Sequence, residues 1–244
     1  MARFAVIIPA AGRGERFGGN EKKTFAKLDG KPLFLQTIQL FINRDDVCQT
    51  ILAVAPEDMD TMKTRYAANL GFMGVKLVKG GERRCDTVAN AIEVVTDDAD
   101  FIAVHDAARP CVAESMIDSV FSEAQKSGAA IPAIPITSTL KRVSEMNVVE
   151  ETMAREGLYL AQTPQVFRRD WIRGAYQKLG ENEQDITDDA QLVALAGHAI
   201  SIVRGDATNI KITAKSDIAL AKAILKSRPM KAVAKHSPFE EAQW

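Results

Sequence analysis

The chain has 244 residues, enough for one substantial core in a single domain or for two small ones. Hydrophobic residues at 46% and charged residues at 26% describe an ordinary globular composition, and 31 basic against 32 acidic side chains leave a formal charge of -1. That balance excludes a general binder of nucleic acid or anionic membranes, so any anion site must be a local concentration of cations.

No apolar run approaches the roughly 18 residues of a membrane span. The start, MARFAVIIPAAG, leads into a glycine turn and lacks the layout of a signal peptide. Cys48, Cys85 and Cys111 form no C-x-x-C pair, which predicts free thiols and a reducing cytoplasm. His105, His198 and His236 are scattered, without zinc-like spacing.

The first predicted element is a buried strand over Phe4 to Ile8, stopped by Pro9. Gly12, Gly14, Gly18 and Gly19 then expose backbone N–H groups, with Arg13, Arg16, Lys22 and Lys23 set among or just after them. Fixed backbone donors plus mobile cations suit a polyphosphate. A dinucleotide fingerprint is disfavoured because Phe17 stands where a small residue is needed, and Pro32 after Gly30-Lys31 excludes a Walker A loop. Pro32 to Asn43 reads as a helix with Phe34, Ile38 and Phe41 on one face. Thr50 to Ala55 is the second strand, and Pro56 opens a helix to about Asn69 with a stop at Gly71.

A third strand, Val75 to Val78, runs into Gly80-Gly81-Glu82-Arg83-Arg84, and a helix follows with Val88, Ala91, Ile92 and Val95 on one face. Phe101 to Val104 is the fourth strand and delivers His105-Asp106-Ala107-Ala108-Arg109-Pro110. The next helix carries Ile117, Val120, Phe121 and Ala124, and Ala129 to Ile134 is the fifth strand. This alternation predicts an α/β fold with a mostly parallel sheet and helices on both faces. Pro135 to Pro164 breaks it with two short alternating segments joined near Glu145-Met146-Asn147, read as a β-hairpin arm that needs another subunit to pack on. Helices over 169–179 and 188–195, strands over 199–203 and 210–213, and a helix over 216–226 complete the reading. One domain is expected over 1–227, with the arm at about 136–163. The tail from Arg228 to Trp244 reads as poorly ordered.

Ligands of open α/β sheets bind beyond the carboxyl ends of the strands, where the loops 10–23, 80–87 and 105–110 meet. Asp106, in the last of these, is a candidate Mg²⁺ ligand in a cation-rich pocket, since Mg²⁺ binds through one or two carboxylates plus substrate phosphates. Taken alone, the residue reads better as a turn former or helix N-cap, and its place at a strand end beside Arg109 turns the reading toward metal. Lys211 lies in the apolar alternating stretch 209–213, aimed either at solvent or inward at phosphate.

Together, PAAGRGERF with Lys23, GGERRCDTV, VHDAARPCV, ITSTLKR, AREGLY, QTPQVF, ITDDA and NIKIT resemble the 2-C-methyl-D-erythritol 4-phosphate cytidylyltransferase family from about Ala5 to Leu225. The resemblance implies a Rossmann-like nucleotidyltransferase core, a homodimer clasped by the hairpin arm, Mg²⁺, and CTP and a sugar-alcohol phosphate as substrates. It implies that Ala10, Ala11, Gly12 and Gly14 wrap the CTP, and that Arg16 and Lys23 bind its phosphates and stabilise the transition state. Gly80, Gly81, Glu82 and Thr87 match the residues that read cytosine and ribose, and Asp106 the metal-associated carboxylate. Arg109, Thr139, Arg155, Thr163, Thr187 and Lys211 match the methylerythritol phosphate site, with Arg155 supplied by the partner subunit and, with Lys211, holding the nucleophile. Two positions depart from the family pattern: Lys22 where Pro is usual and Phe17 where Met is usual. A ribitol-5-phosphate cytidylyltransferase is the nearest alternative. A non-catalytic nucleotide sensor and a dinucleotide-dependent oxidoreductase come from other classes.

Overall fold

A computed structural model describes residues 1–12, 14, 17, 18, 22–179 and 186–228. Strand β1 (Phe4–Ala10) is the axis of the sheet, and its alternation divides the core between two faces. Phe4, Val6 and Ile8 point to one side, where Phe4 stacks on Phe121 with ring centroids 3.9 Å apart. Ala5 and Ile7 point to the other, toward Val88, Ile92 and Ile172. A strand apolar on both faces has to be covered on both, which is why helices lie on each side.

The remaining elements follow in order: β2 (Lys27–Leu28), β3 (Lys31–Pro32), α1 (Leu33–Ile38), β4 (Val47–Val54), α2 (Met59–Arg65), α3 (Ala67–Phe72), β5 (Val75–Lys79), α4 (Arg84–Ile92), β6 (Phe101–Val104) and α5 (Glu114–Ser127). Then come β7 (Ala129–Pro135), β8 (Leu140–Val143), β9 (Val149–Met153), β10 (Tyr159–Ala161), β11 (Gln165–Arg168), α6 (Arg169–Gln177), α7 (Asp189–Leu195), β12 (Ser201–Arg204) and α8 (Ser216–Ser227).

The described residues form an eight-stranded sheet. β5, β4, β1 and β6 run parallel. β11 is antiparallel to both β6 and β7, and β12 pairs parallel with β7. β10 continues β11 along β7, with Ala161 opposite Ala133 and Val166 opposite Ala130. β8 and β9 form a separate ribbon closed by Asn147 at φ 59°.

Several expectations are corrected. The helix over Pro56–Asn69 is a 3-10 turn followed by α2 and α3, broken at Tyr66 (φ -123°), and α3 runs through Gly71. The Tyr66 ring stacks on Phe25 and meets Phe34 edge-on, so tertiary packing overrides the helical pattern there. α1 ends at Ile38 and continues as turns, although Phe34, Ile38 and Phe41 are all fully buried. The predicted hairpin loses its end to the main sheet, since β10 pairs with β7. The stretch 210–213 is not a strand. It passes beyond the end of β6, where the Ile212 N–H donates to the Ala108 carbonyl at 2.8 Å and the Thr213 N–H goes to Asp217. The expectation for the tail concerns 229–244, which lie outside the described residues.

Candidate active site

The carboxyl ends of β1, β5 and β6 open onto one cleft lined by Ala10, Gly12, Lys23, Gly81, Asp106 and Lys211. Its first wall is the glycine loop after β1. Gly14 adopts φ 66°, and a Cβ there would stand 3.0 Å from the Lys23 Cβ, so the close turn needs glycine. Phe17 is 4% exposed and sits with Leu28, Leu33, Cys111 and Ile212 in a small apolar cluster beneath the cleft. Burying such a ring contributes about 2 kcal/mol, which anchors the loop. The departure at Phe17 thus has a structural use. Arg16 lies outside the described residues. Lys22, read as a phosphate-facing cation, is instead bound at 2.6 Å to Asp58 and at 3.2 Å to Glu57. The Thr24 hydroxyl donates to the Ala10 carbonyl on the other side of Lys23.

The second wall is the loop between β5 and α4. Gly80 lies against the first wall: a Cβ would be 2.8 Å from the Ala11 Cβ and 2.9 Å from the Thr87 hydroxyl. Thr87 is buried, accepts from the Gly81 N–H at 3.1 Å and donates to the Arg83 carbonyl. Its hydroxyl is therefore spent on holding Gly81 in place, while the exposed Glu82 lies at the cleft.

The third wall centres on Asp106, 8% exposed, just beyond β6. Its carboxylate lies 2.9 Å from the Lys211 ammonium, 3.4 Å from the Arg109 guanidinium and 3.8 Å from that of Arg84. Burial alone would raise its pKa, but Lys211, Arg84 and Arg109 outweigh that and hold the carboxyl well below the usual carboxylate range. Burial lowers Arg109, against the pull of Asp106. Arg109 also donates to the Asn209 carbonyl at 2.7 Å, which ties the 209–213 segment to this loop and brings Lys211 to Asp106.

Thr163 is buried behind Asp106, accepting from its N–H at 3.1 Å, and its hydroxyl lies 3.1 Å from the His105 ring. Its hydroxyl therefore orients the Asp106 loop. His105 is fully buried, and desolvation pushes its pKa down to about 4, so the imidazole is neutral. Thr139, Arg155 and Thr187 are exposed and are not among the residues that line this cleft. Arg155 donates to the Thr137 carbonyl at the base of the arm, and Thr187 donates to Gln191.

Arg84 was missed by residue-level reasoning. It opens α4, lines the cleft, and binds the fully buried Asp189 at 2.7 Å. Burial opposes its charge, but Asp189 and Asp106 raise its pKa further, and Tyr176 donates to the same Asp189 at 2.6 Å. Its one local trace is its place as the second arginine after the Gly80-Gly81 pair, at the first residue of α4.

Among the described residues, no cluster of three or more His, Cys, Asp or Glu could hold a metal by protein ligands alone. Asp106, a buried carboxylate at the cleft, suits a cation that arrives with its nucleotide.

A mostly parallel sheet with a glycine loop, a lysine beside it and an ionised carboxylate at its carboxyl edge matches an α/β nucleotide-binding enzyme of the nucleotidyltransferase kind. The family model described as 2-C-methyl-D-erythritol 4-phosphate cytidylyltransferase matches residues 4–227, and the chain belongs to that family. A relative of that name from Rhodopirellula baltica is 42% identical, over 92% of this chain and 95% of its own. One from Halalkalibacterium halodurans is 39% identical, over 91% and 96%. The solved structure of the enzyme from Thermus thermophilus superposes with a TM-score of 0.76 at 30% identity, covering 93% of this chain and 100% of that one. The Francisella tularensis structure gives 0.77 at 30% identity, covering 91% and 100%.

Proposed function

We propose that the chain transfers CMP from CTP to 2-C-methyl-D-erythritol 4-phosphate, giving 4-diphosphocytidyl-2-C-methyl-D-erythritol and pyrophosphate. The observation that carries this reading is the ionised Asp106 held among Lys211, Arg109 and Arg84, across one cleft from Lys23 and the glycine loop. A phosphate monoester is already an anionic nucleophile, so the reaction needs no general base. Its oxygen attacks the α-phosphorus in line, the new P–O bond forms, and the bond to pyrophosphate breaks. The difficulty is bringing two anions together and neutralising charge that develops on the α-phosphate and leaving group.

Lys23 on the first wall, with Arg16, takes the triphosphate side, while Lys211 and Arg109 on the third hold the attacking phosphate. Asp106 would hold a Mg²⁺ that comes with CTP, and this ion would supply charge neutralisation across the phosphates. Gly80, Gly81 and Glu82 present backbone groups and a carboxylate to the base and ribose, positioned by Thr87. Thr139, Arg155 and Thr187 complete the sugar-phosphate pocket, with Arg155 coming from a second copy of the chain. The arm exposes Met146 (82%), Val148 (58%) and Val149 (55%), an apolar surface suited to a homodimer partner. The free thiols of Cys48, Cys85 and Cys111, each with its pKa raised by burial, suit a cytoplasmic enzyme.

Pyrophosphate release with CTP and Mg²⁺ tests the reading, comparing methylerythritol phosphate with ribitol 5-phosphate. The expected outcome is turnover with the first, little with the second, and loss in EDTA that returns with added Mg²⁺. Turnover with ribitol phosphate alone would assign the other alcohol phosphate, and turnover with neither would remove the activity.

A further inference from the structure

Lys23 sits between two anchors, and one of them is unusual. On its C-terminal side, Thr24 is tied to the end of β1 through the Ala10 carbonyl. On its N-terminal side, Lys22 reaches to the turn that follows β4, whose Glu57 stands at the rim of the cleft. There its ammonium lies 2.6 Å from the Asp58 carboxylate, itself buried, and 3.2 Å from Glu57. Partial burial opposes the Lys22 charge, but hydrogen bonds from the ammonium to Asp58 and Glu57 prevail and raise its pKa. The backbone of Lys22 is extended (φ -65°, ψ 136°) and enters a 3-10 turn that has no side-chain cap. That turn is held by the Phe25 N–H on the Lys22 carbonyl and the Ala26 N–H on the Lys23 carbonyl.

We propose that Lys22 is a positioning residue: its ion pair with Asp58 and Glu57 staples the glycine loop to the β4–α2 turn and so fixes Lys23 for the triphosphate. The inference rests on the assignment of Lys23 to CTP made above. A lysine is suited to the task because its long stem spans two loops while its head neutralises two carboxylates at the rim of a pocket for a polyanion. A displacement of about 1 Å at a phosphate-binding group costs up to about a hundredfold in rate.

The test compares Lys22→Ala, Asp58→Asn, their double variant and Lys22→Arg in the full-length protein. Two readouts are used: steady-state kinetics and hydrogen exchange of the Phe25 and Ala26 amides. Each single variant is expected to lower kcat/KM for CTP by about tenfold, with KM for the sugar phosphate unchanged. The double variant should fall no further than the singles, Lys22→Arg should recover most of the loss, and exchange at both amides should quicken in the disabled variants. If Lys22 contacted phosphate directly, Asp58→Asn would leave CTP kinetics intact or improve them, which overturns the staple. If Lys22 served only to cancel the rim charge, the double variant would return toward wild type, which also overturns it. Unchanged exchange in Lys22→Ala and Asp58→Asn overturns it irrespective of activity. Faster exchange in a protein whose wild type transfers no CMP leaves the staple standing and removes the functional reading instead.

Discussion

Asp106 shows how a buried carboxylate is kept charged. Removing it from water disfavours the ionised form, and three nearby cations more than compensate. Because its native pKa lies below the ordinary value near 4, its stabilisation is complete above that value and is lost progressively as pH falls from there toward the native pKa. Its ionisation should therefore leave no inflection in activity between about pH 5 and 8. Asp106→Asn strands Lys211, Arg109 and Arg84 without their counter-charge, and kcat should fall by about 10²–10³. Near wild-type kcat in the pyrophosphate assay would sink the role given to this carboxylate. His105 has the same sign in a higher pH window. Its native pKa of about 4 lies below the unfolded value near 6.5, so the unfolded chain binds its proton first on acidification. Stability should thus fall as pH drops from about 6.5 toward 4, by roughly 2 kcal/mol at pH 5. Urea midpoints at pH 7.5 and 5 check this: His105→Gln should lose less stability over that interval than wild type. Equal losses would mean that other groups carry the acid sensitivity.

At the scale of elements, the loops after β1 and β5 form one surface because Gly80 lets their backbones meet. A methyl group there would also come within 3.0 Å of the Val54 carbonyl, which cannot swing aside as a flexible side chain could. Gly80→Ala should cost about 1–3 kcal/mol of stability. It should also weaken the preference for CTP over UTP and ATP, since a base read by fixed backbone groups is discriminated strongly only while they stay in place. A variant with unchanged kcat/KM ratios among the three nucleotides would show that this loop does not read the base. The strands were legible in the sequence because β1, β4 and β6 are short apolar runs, although β1 does not stop at Pro9 but runs through it to Ala10, paired with Val54. The break at Tyr66 was not, because it answers to the rings of Phe25 and Phe34, distant in sequence. The stretch 209–213 alternates like a strand, yet its neighbour is the Ala108 carbonyl in a loop, and only the assembled fold reveals that. Of the site, the glycine loop and Asp106 could be read locally. Arg84 could not, since its worth comes from Asp189, more than a hundred positions away. Lys22 was seen as a cation, but its direction was set by Asp58 on another turn.

At the scale of the molecule, the β8–β9 ribbon projects from the sheet, and an isolated two-stranded ribbon is marginal in water. Its exposed apolar side chains are joined by Leu158, Tyr159 and Leu160 at the base of the arm, between 41% and 53% exposed. A two-fold partner would cover this surface and could bring its own Arg155 to a cleft that Arg155 does not line within its own chain. Arg155→Ala should then raise KM for the sugar phosphate far more than KM for CTP. Complementation gives the sharper test. Lys23→Ala and Arg155→Ala are each expected to be nearly inactive alone. If the two residues serve one site from different chains, a heterodimer holds one site with both lesions and one with neither. Random exchange of equal amounts makes half the dimers mixed, so about a quarter of wild-type activity should return. Subunit exchange is followed separately by mass-resolved tags on the two variants. Confirmed exchange with activity still at the level of the parents would place Lys23 and Arg155 of each site in the same chain, and the shared-site dimer would fall.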